Sequence, residues 1–124
     1  MIRGVGVDLC GIRRMEEAIS HPRFFARVFS ESERAYINGK GAMAAQTAAG
    51  LFAAKEAFLK ALGTGIDSLG LSGIGIVHDE KGAPGYALTG PALERLRAAG
   101  AQRAFLSVSH EGDTAAAFCV LEGD

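Results

Sequence analysis

Apolar and polar positions alternate at the start of the chain, where Val5 and Val7 fall between Gly4, Gly6 and Asp8, and this period of two predicts a strand over Ile2 to Leu9. The spacing then lengthens to that of a helix at Ile12, Met15 and Ile19, a segment that Pro22 is expected to end. Ser30 and Glu33 stand at capping-box spacing ahead of Tyr36 and Ile37, which predicts a short helix there, followed by a loop over Asn38 to Gly41. The longest helix is expected from Ala44 or Thr47 to Leu62, rich in alanine and stopped by Gly63 at the position that favours a left-handed cap. At about 100° per residue, Leu51, Phe58 and Leu62 stack within about 20° of one another, with Phe52 and Leu59 near 90°. Glu56 and Lys60 fall on the far side, at about 140° and 180°, but Lys55 falls at about 40°, inside the apolar sector. A lysine in that sector needs an explanation.

Strands dominate the second half. Ile74 to His78 and Gly85 to Thr89 flank the turn DEKGAP, Pro91 opens a helix that buries Leu93 and Leu96 and stops at Gly100, and Phe105 to His110 pairs with Thr114 to Leu121 across EGD. The pattern predicts an α+β fold in one domain over residues 1–124, an antiparallel sheet packed against one long helix and shorter helices. With 48% apolar and 22% charged residues, the 124-residue chain is excluded from the disordered, collagenous and disulfide-scaffold classes. Cys10 and Cys119 fit neither a disulfide framework nor a zinc motif and are expected as reduced core thiols. Asp8 interrupts the opening segment, so no signal peptide is visible, and no stretch approaches the roughly 18 apolar residues that span a bilayer; a cytoplasmic protein without a membrane partner is expected.

Charge refines this picture. Residues 1–65 hold nine Lys or Arg against six Asp or Glu, whereas residues 66–124 hold four against eight. The basic half carries Arg3, Arg13, Arg14, Arg23 and Arg27 near its start, a patch suited to steering an acidic partner. Nucleic acid is not the expected partner, since such binders are usually more basic than a sequence pI of 6.3.

Chemistry concentrates in GVGVD (Gly4 to Asp8), KEAFLKALGTG (Lys55 to Gly65) and SVSH (Ser107 to His110). Each has a plainer reading: Asp8 as a helix cap, Glu56 and Lys60 as an i,i+4 pair on an exposed helix, His110 as a structural histidine. Together they say more. Two carboxylates from separate segments suit a Mg²⁺ ion that keeps several waters and takes further ligands from substrate phosphates. Lysines at 55 and 60 offer cations for a pyrophosphate near a helix C-terminus that would otherwise repel it.

On these residues the sequence resembles the holo-acyl-carrier-protein synthases, the short type of 4′-phosphopantetheinyl transferase. The likeness runs through GVGVDLCGIRRM, FARVFSESE, FAAKEAFLKALGTGI, the DEKGAP hairpin and SVSHEGDTAAAFCVLE. It implies that Asp8 and Glu56 hold Mg²⁺ against the pyrophosphate of coenzyme A, and that Glu56 is the candidate base toward the serine of an acyl carrier protein of the fatty-acid type. It further implies Lys60 on the leaving phosphate, Lys55 as a second phosphate contact, and Gly63, Thr64 and Gly65 against the coenzyme. Ser109 and His110 match a strand-end motif at the nucleotide, and Arg14, Arg23 and Phe24 match the carrier-protein contacts. The glycines beside Asp8 and after Lys60 are expected to let pyrophosphate approach bare backbone. Relatives of this length are typically homotrimers with active sites between protomers. One departure stands out: the family commonly reads Arg-Phe-Ala-x-Lys-Glu-Ala, and Leu51 replaces that arginine. A non-catalytic module that binds coenzyme A or carrier protein, and a small structural oligomer, are the readings from other classes.

Overall fold

The computed structural model describes residues 1–63 and 69–124. Strand β1 (Ile2–Gly11) leads into helices α1 (Ile12–Ile19), α2 (Pro22–Val28) and α3 (Glu31–Asn38), and then α4 (Ala44–Leu62) crosses the molecule. The hairpin β2 (Ile74–His78) and β3 (Pro84–Leu88), helix α5 (Gly90–Ala98) and the hairpin β4 (Arg103–Glu111) and β5 (Thr114–Glu122) complete the fold. The α+β architecture is as the patterning predicts, but the strands form two antiparallel sheets, β1-β5-β4 and β2-β3. Pro22 does more than end α1. It occupies the first turn of α2, a helix that the pattern did not predict, where its missing N–H costs nothing.

Helix α4 packs on one face of the three-stranded sheet, and the contact explains β1. Gly4, Gly6, Asp8 and Cys10 face the helix, while Val5, Val7 and Leu9 face outward and are 55%, 55% and 67% exposed. A β-carbon on Gly4 would collide with the Ala61 carbonyl, and one on Gly6 with the Ala57 carbonyl and the Ala61 nitrogen. Successive inward residues of the strand thus meet successive turns of the helix, and Ala49, Ala53, Ala57 and Ala61, four apart, are all buried. These glycines serve backbone packing inside the fold; the expectation that they open space for pyrophosphate is corrected.

The remaining elements close around α4. The Tyr86 hydroxyl donates to the Ala54 carbonyl (2.6 Å) and its ring packs on Phe58, which docks the β2-β3 hairpin. Cys10 and Cys119 are free and buried, as expected. Gly63 ends α4 with φ +79°, the left-handed cap that the sequence predicts.

The glycine contact has a direct test. Gly6→Ala should destabilise the fold by about 1–3 kcal/mol or more, because the methyl meets rigid helix backbone rather than a side chain that can turn away. Urea unfolding would measure it, and a variant as stable as the parent would contradict the packing described.

Candidate functional site

Asp8 sits one alternation beyond Gly6 on the face of β1 turned to α4, so the glycine packing delivers its carboxylate to the flank of the helix. Lys60 reaches it there: Nζ donates to Asp8 Oδ1 at 2.9 Å and to the Val7 carbonyl at 3.1 Å. Glu56, one turn earlier on α4, shares the site. Its carboxyl titrates above the ordinary glutamate value, first because it is partly desolvated and then because the Asp8 charge opposes a second negative charge, with Lys60 pulling the other way. Asp8, Glu56 and Lys60 are therefore one electrostatic unit, half open to solvent.

That donor set suits a hard divalent cation. Among the described residues no group of three or more His, Cys, Asp or Glu comes together. Two oxygen donors, with Glu56 strained by its like-charged neighbour, are what an ion that retains water and binds phosphate oxygens requires, so Asp8 and Glu56 fit Mg²⁺.

Lys55 does not belong to this cluster, and its assignment as a phosphate contact is corrected. It is 0% exposed, and its ammonium donates to Glu33 Oε1 (2.8 Å), the Ile74 carbonyl (2.8 Å) and the Leu71 carbonyl (3.0 Å), which uses all three N–H bonds. Burial lowers its pKa, and Glu33 works against that shift. The apolar sector holds a lysine because it also holds a buried carboxylate. Glu33 completes the predicted capping box with Ser30 and in addition accepts from the Ile76 N–H (2.9 Å).

Ser109 and His110 lie elsewhere. They point to opposite sides of β4: Ser109 looks outward beside Ala116, whereas His110 faces α4, where its Nε2 meets Gln46 Nε2 at 3.1 Å. Gln46 and Glu56 are ten residues apart on α4, about 15 Å along the axis. His110 instead borders a cavity of about 340 Å³ with Lys40, Tyr36, His78 and Leu51, in which His78 stacks on Tyr36 at 3.9 Å and the Lys40 ammonium lies 4.6 Å from the Tyr36 ring. Leu51, at the departure from the family pattern, is 2% exposed and part of the core. Arg14 and Phe24 line a groove of about 220 Å³ with Leu9, Met15 and Phe52, whereas Arg23 is exposed beside it. Thr64 and Gly65 lie outside the described residues. Tyr36, Lys40 and His78 line the His110 cavity without having been given a role in the sequence reading, since no spacing relates them to the motifs, and Phe52, read there only as part of the helix pattern and motif, lines the Arg14 groove.

An α+β domain that presents two carboxylates and a lysine at a strand–helix contact offers the donors that phosphate chemistry uses. Comparison with known proteins makes this specific. The profile of the 4′-phosphopantetheinyl transferase superfamily matches residues 4–119. The chain is 46% identical over 125 residues to the holo-[acyl-carrier-protein] synthase of Geotalea daltonii, covering 98% of this chain and 99% of that one, and 40% identical over 123 residues to that of Treponema denticola, covering 99% and 100%. Among solved structures it is similar to the Neisseria meningitidis synthase (TM-score 0.86, 38% identity, 98% and 99% covered). It is also similar to the Bacillus anthracis synthase in complex with CoA (3′,5′-ADP) (TM-score 0.83, 33% identity, 100% and 99% covered). The chain belongs to the 4′-phosphopantetheinyl transferase superfamily, among the holo-[acyl-carrier-protein] synthases.

Partial burial of Glu56, with the Asp8 charge beside it, predicts a pH-dependent strain. A carboxyl whose folded pKa is raised contributes stability that is complete below its unfolded value and is lost as pH rises through the folded one. Glu56→Gln should therefore melt above the parent near neutral pH in metal-free buffer, and the advantage should vanish at acid pH. A melting difference independent of pH would contradict the assignment.

Proposed function

We propose that this chain transfers the 4′-phosphopantetheine of coenzyme A to a serine hydroxyl of apo acyl carrier protein, releasing 3′,5′-ADP. The observation that carries the reading is the Asp8–Glu56–Lys60 cluster, assembled at the positions where the family motif places its metal and phosphate ligands. Asp8 and Glu56 would hold Mg²⁺, which when bound neutralises charge on the pyrophosphate oxygens. Glu56 is suited to take the serine proton, because its carboxylate stands in the same cluster as Asp8 and Lys60. Lys60, 55% exposed and anchored on Asp8, places a cation where the departing phosphate gathers charge. The serine oxygen forms a bond to the β-phosphorus, the bond from that phosphorus to the bridging oxygen of the pyrophosphate breaks, and 3′,5′-ADP leaves.

Two features support a homotrimer in which each site is shared. The outward face of β1-β5-β4 carries Val5, Val7, Leu9, Phe105 and Phe118, all exposed, and a sheet face of that kind is normally covered by another chain. The His110 cavity is set apart from Glu56 along α4, and its Lys40 and stacked Tyr36 and His78 suit the nucleotide end of a coenzyme whose pyrophosphate a neighbouring protomer holds. The pyrophosphate cluster of one protomer would then face the nucleotide cavity of the next. The Arg14–Phe24–Phe52 groove, a cation beside aromatic rings, suits a carrier-protein helix that is acidic with apolar anchors; Arg23 adds charge at its margin. The cytoplasm and fatty acid synthesis are the compartment and process that fit this substrate pair, and no described helix is long and apolar enough to cross a membrane.

Incubation with coenzyme A, Mg²⁺ and apo carrier protein should add the mass of phosphopantetheine to the carrier, and Asp8→Asn or Glu56→Gln should abolish the addition while the fold persists. Binding of coenzyme A without any mass shift would favour the non-catalytic module instead. Phe118→Glu should give a folded monomer by sedimentation and lose transfer; a trimer that survives this charge would refute the assembly.

A further inference from the structure

The Glu33–Lys55 pair is buried beyond what stability requires. Removing two charges from water costs several kcal/mol each, and apolar side chains of similar volume would pack the same space at no loss. What the pair supplies is direction. Lys55 spends its three N–H bonds on three separate parts of the fold: Glu33 in the first turn of α3, the Leu71 carbonyl in the 3-10 turn Leu71–Gly73, and the Ile74 carbonyl at the start of β2. Glu33 returns two more ties, accepting from Ser30 N–H and Ile76 N–H at 2.9 Å each. Ile74 and Ile76 are two residues apart and so present their main-chain groups on one edge of β2. The ion pair occupies that edge as a neighbouring strand would.

We propose that Lys55 is a positioning residue for the Asp8–Glu56–Lys60 cluster: by pinning the rotation and axial register of α4 against β2 and α3, it sets where the Glu56 carboxylate stands relative to Asp8. Glu56 is the next residue, about 100° further round the helix, so a turn of α4 about its axis moves both together. On the sheet side the buried contact of the helix with β1 runs through alanine and glycine, and the side-chain ties there, Lys60 to Asp8 and the Val7 carbonyl and Gln46 to His110, are solvent-exposed. Buried directional restraint comes from the opposite flank, where Lys55 supplies it from the position beside Glu56. Outer partners of this kind change metal affinity by about tenfold to a hundredfold. The inference rests on the reading of the cluster as the metal and phosphate site.

The test compares the double variant Glu33→Gln/Lys55→Met, which leaves no unpaired charge, with the parent. Manganese binding in the presence of coenzyme A, followed by electron paramagnetic resonance, should weaken by about tenfold or more. The turnover number should fall while the KM for carrier protein stays unchanged. Tyr86→Phe is the control, since it removes a hydrogen bond to the Ala54 carbonyl on the same helix without touching the pair. It should lower the melting temperature and leave manganese affinity alone, and Lys55→Arg should restore part of what the double variant loses. A folded double variant with native manganese affinity and turnover overturns the proposal, as does a Tyr86→Phe variant that loses as much affinity. If the double variant does not fold, Glu33→Gln alone decides: a smaller shift in the same direction supports the proposal, and no shift overturns it. Failure of the functional reading shows itself differently, in an unaltered chain that neither binds manganese with coenzyme A nor modifies carrier protein, and it takes this inference with it.

Discussion

Everything at the candidate site depends on how closely one strand lies on one helix. A strand normally stands off a helix by the thickness of its side chains, but Gly4 and Gly6 bring the backbone of β1 onto the backbone of α4 at Ala57 and Ala61. The alternation of the strand then presents Asp8 to the helix flank at a distance that Lys60 bridges with a direct hydrogen bond. With side chains at positions 4 and 6 the strand would lift away and the carboxylate with it. The charge cluster is thus a consequence of missing β-carbons two and four residues earlier, and local structure, packing and chemistry meet in one contact.

The same closeness creates two obligations elsewhere. An interface of glycine and alanine leaves few buried side chains to tie it, and the buried polar ties of α4 lie on its other flank, where Glu33 and Lys55 join α3, α4 and the edge of β2. The strand alternation also turns Val5, Val7 and Leu9 outward, because their glycine neighbours occupy the core face. A 124-residue chain that spends its inward strand positions on glycine is left with apolar surface on the opposite face.

Much of this was legible wherever the determining forces are local. The capping box at Ser30 and Glu33, the left-handed stop at Gly63 and both hairpins follow from neighbours within a few residues, and each stands where the pattern put it. Pro22 was ambiguous because proline fits equally after one helix and at the first turn of the next, and the structure uses the second. Lys55 was visible as an anomaly but not as a solution, since its partner stands 22 positions earlier and had already been assigned a capping role. The purpose of Gly4 and Gly6 was hidden for a related reason: an absent side chain reveals nothing until its neighbour is known. The separation of His110 from Glu56 was hidden too, because motif membership does not measure distance along a helix.

That separation has a physical logic. Coenzyme A is long, with a pyrophosphate near its middle and a phosphorylated nucleotide at one end, and a small domain built around a single helix has little concave surface on which to hold both. The charge cluster lies toward the C-terminal half of α4 and the His110 cavity toward its N-terminal half, so the two are separate places along one helix. The residues that set Asp8 beside Glu56 and those that expose Val5, Val7 and Leu9 alternate along a single strand. The charge cluster and the exposed apolar row are in this way written on the two faces of β1, and a change to either face is felt by the other through the backbone they share.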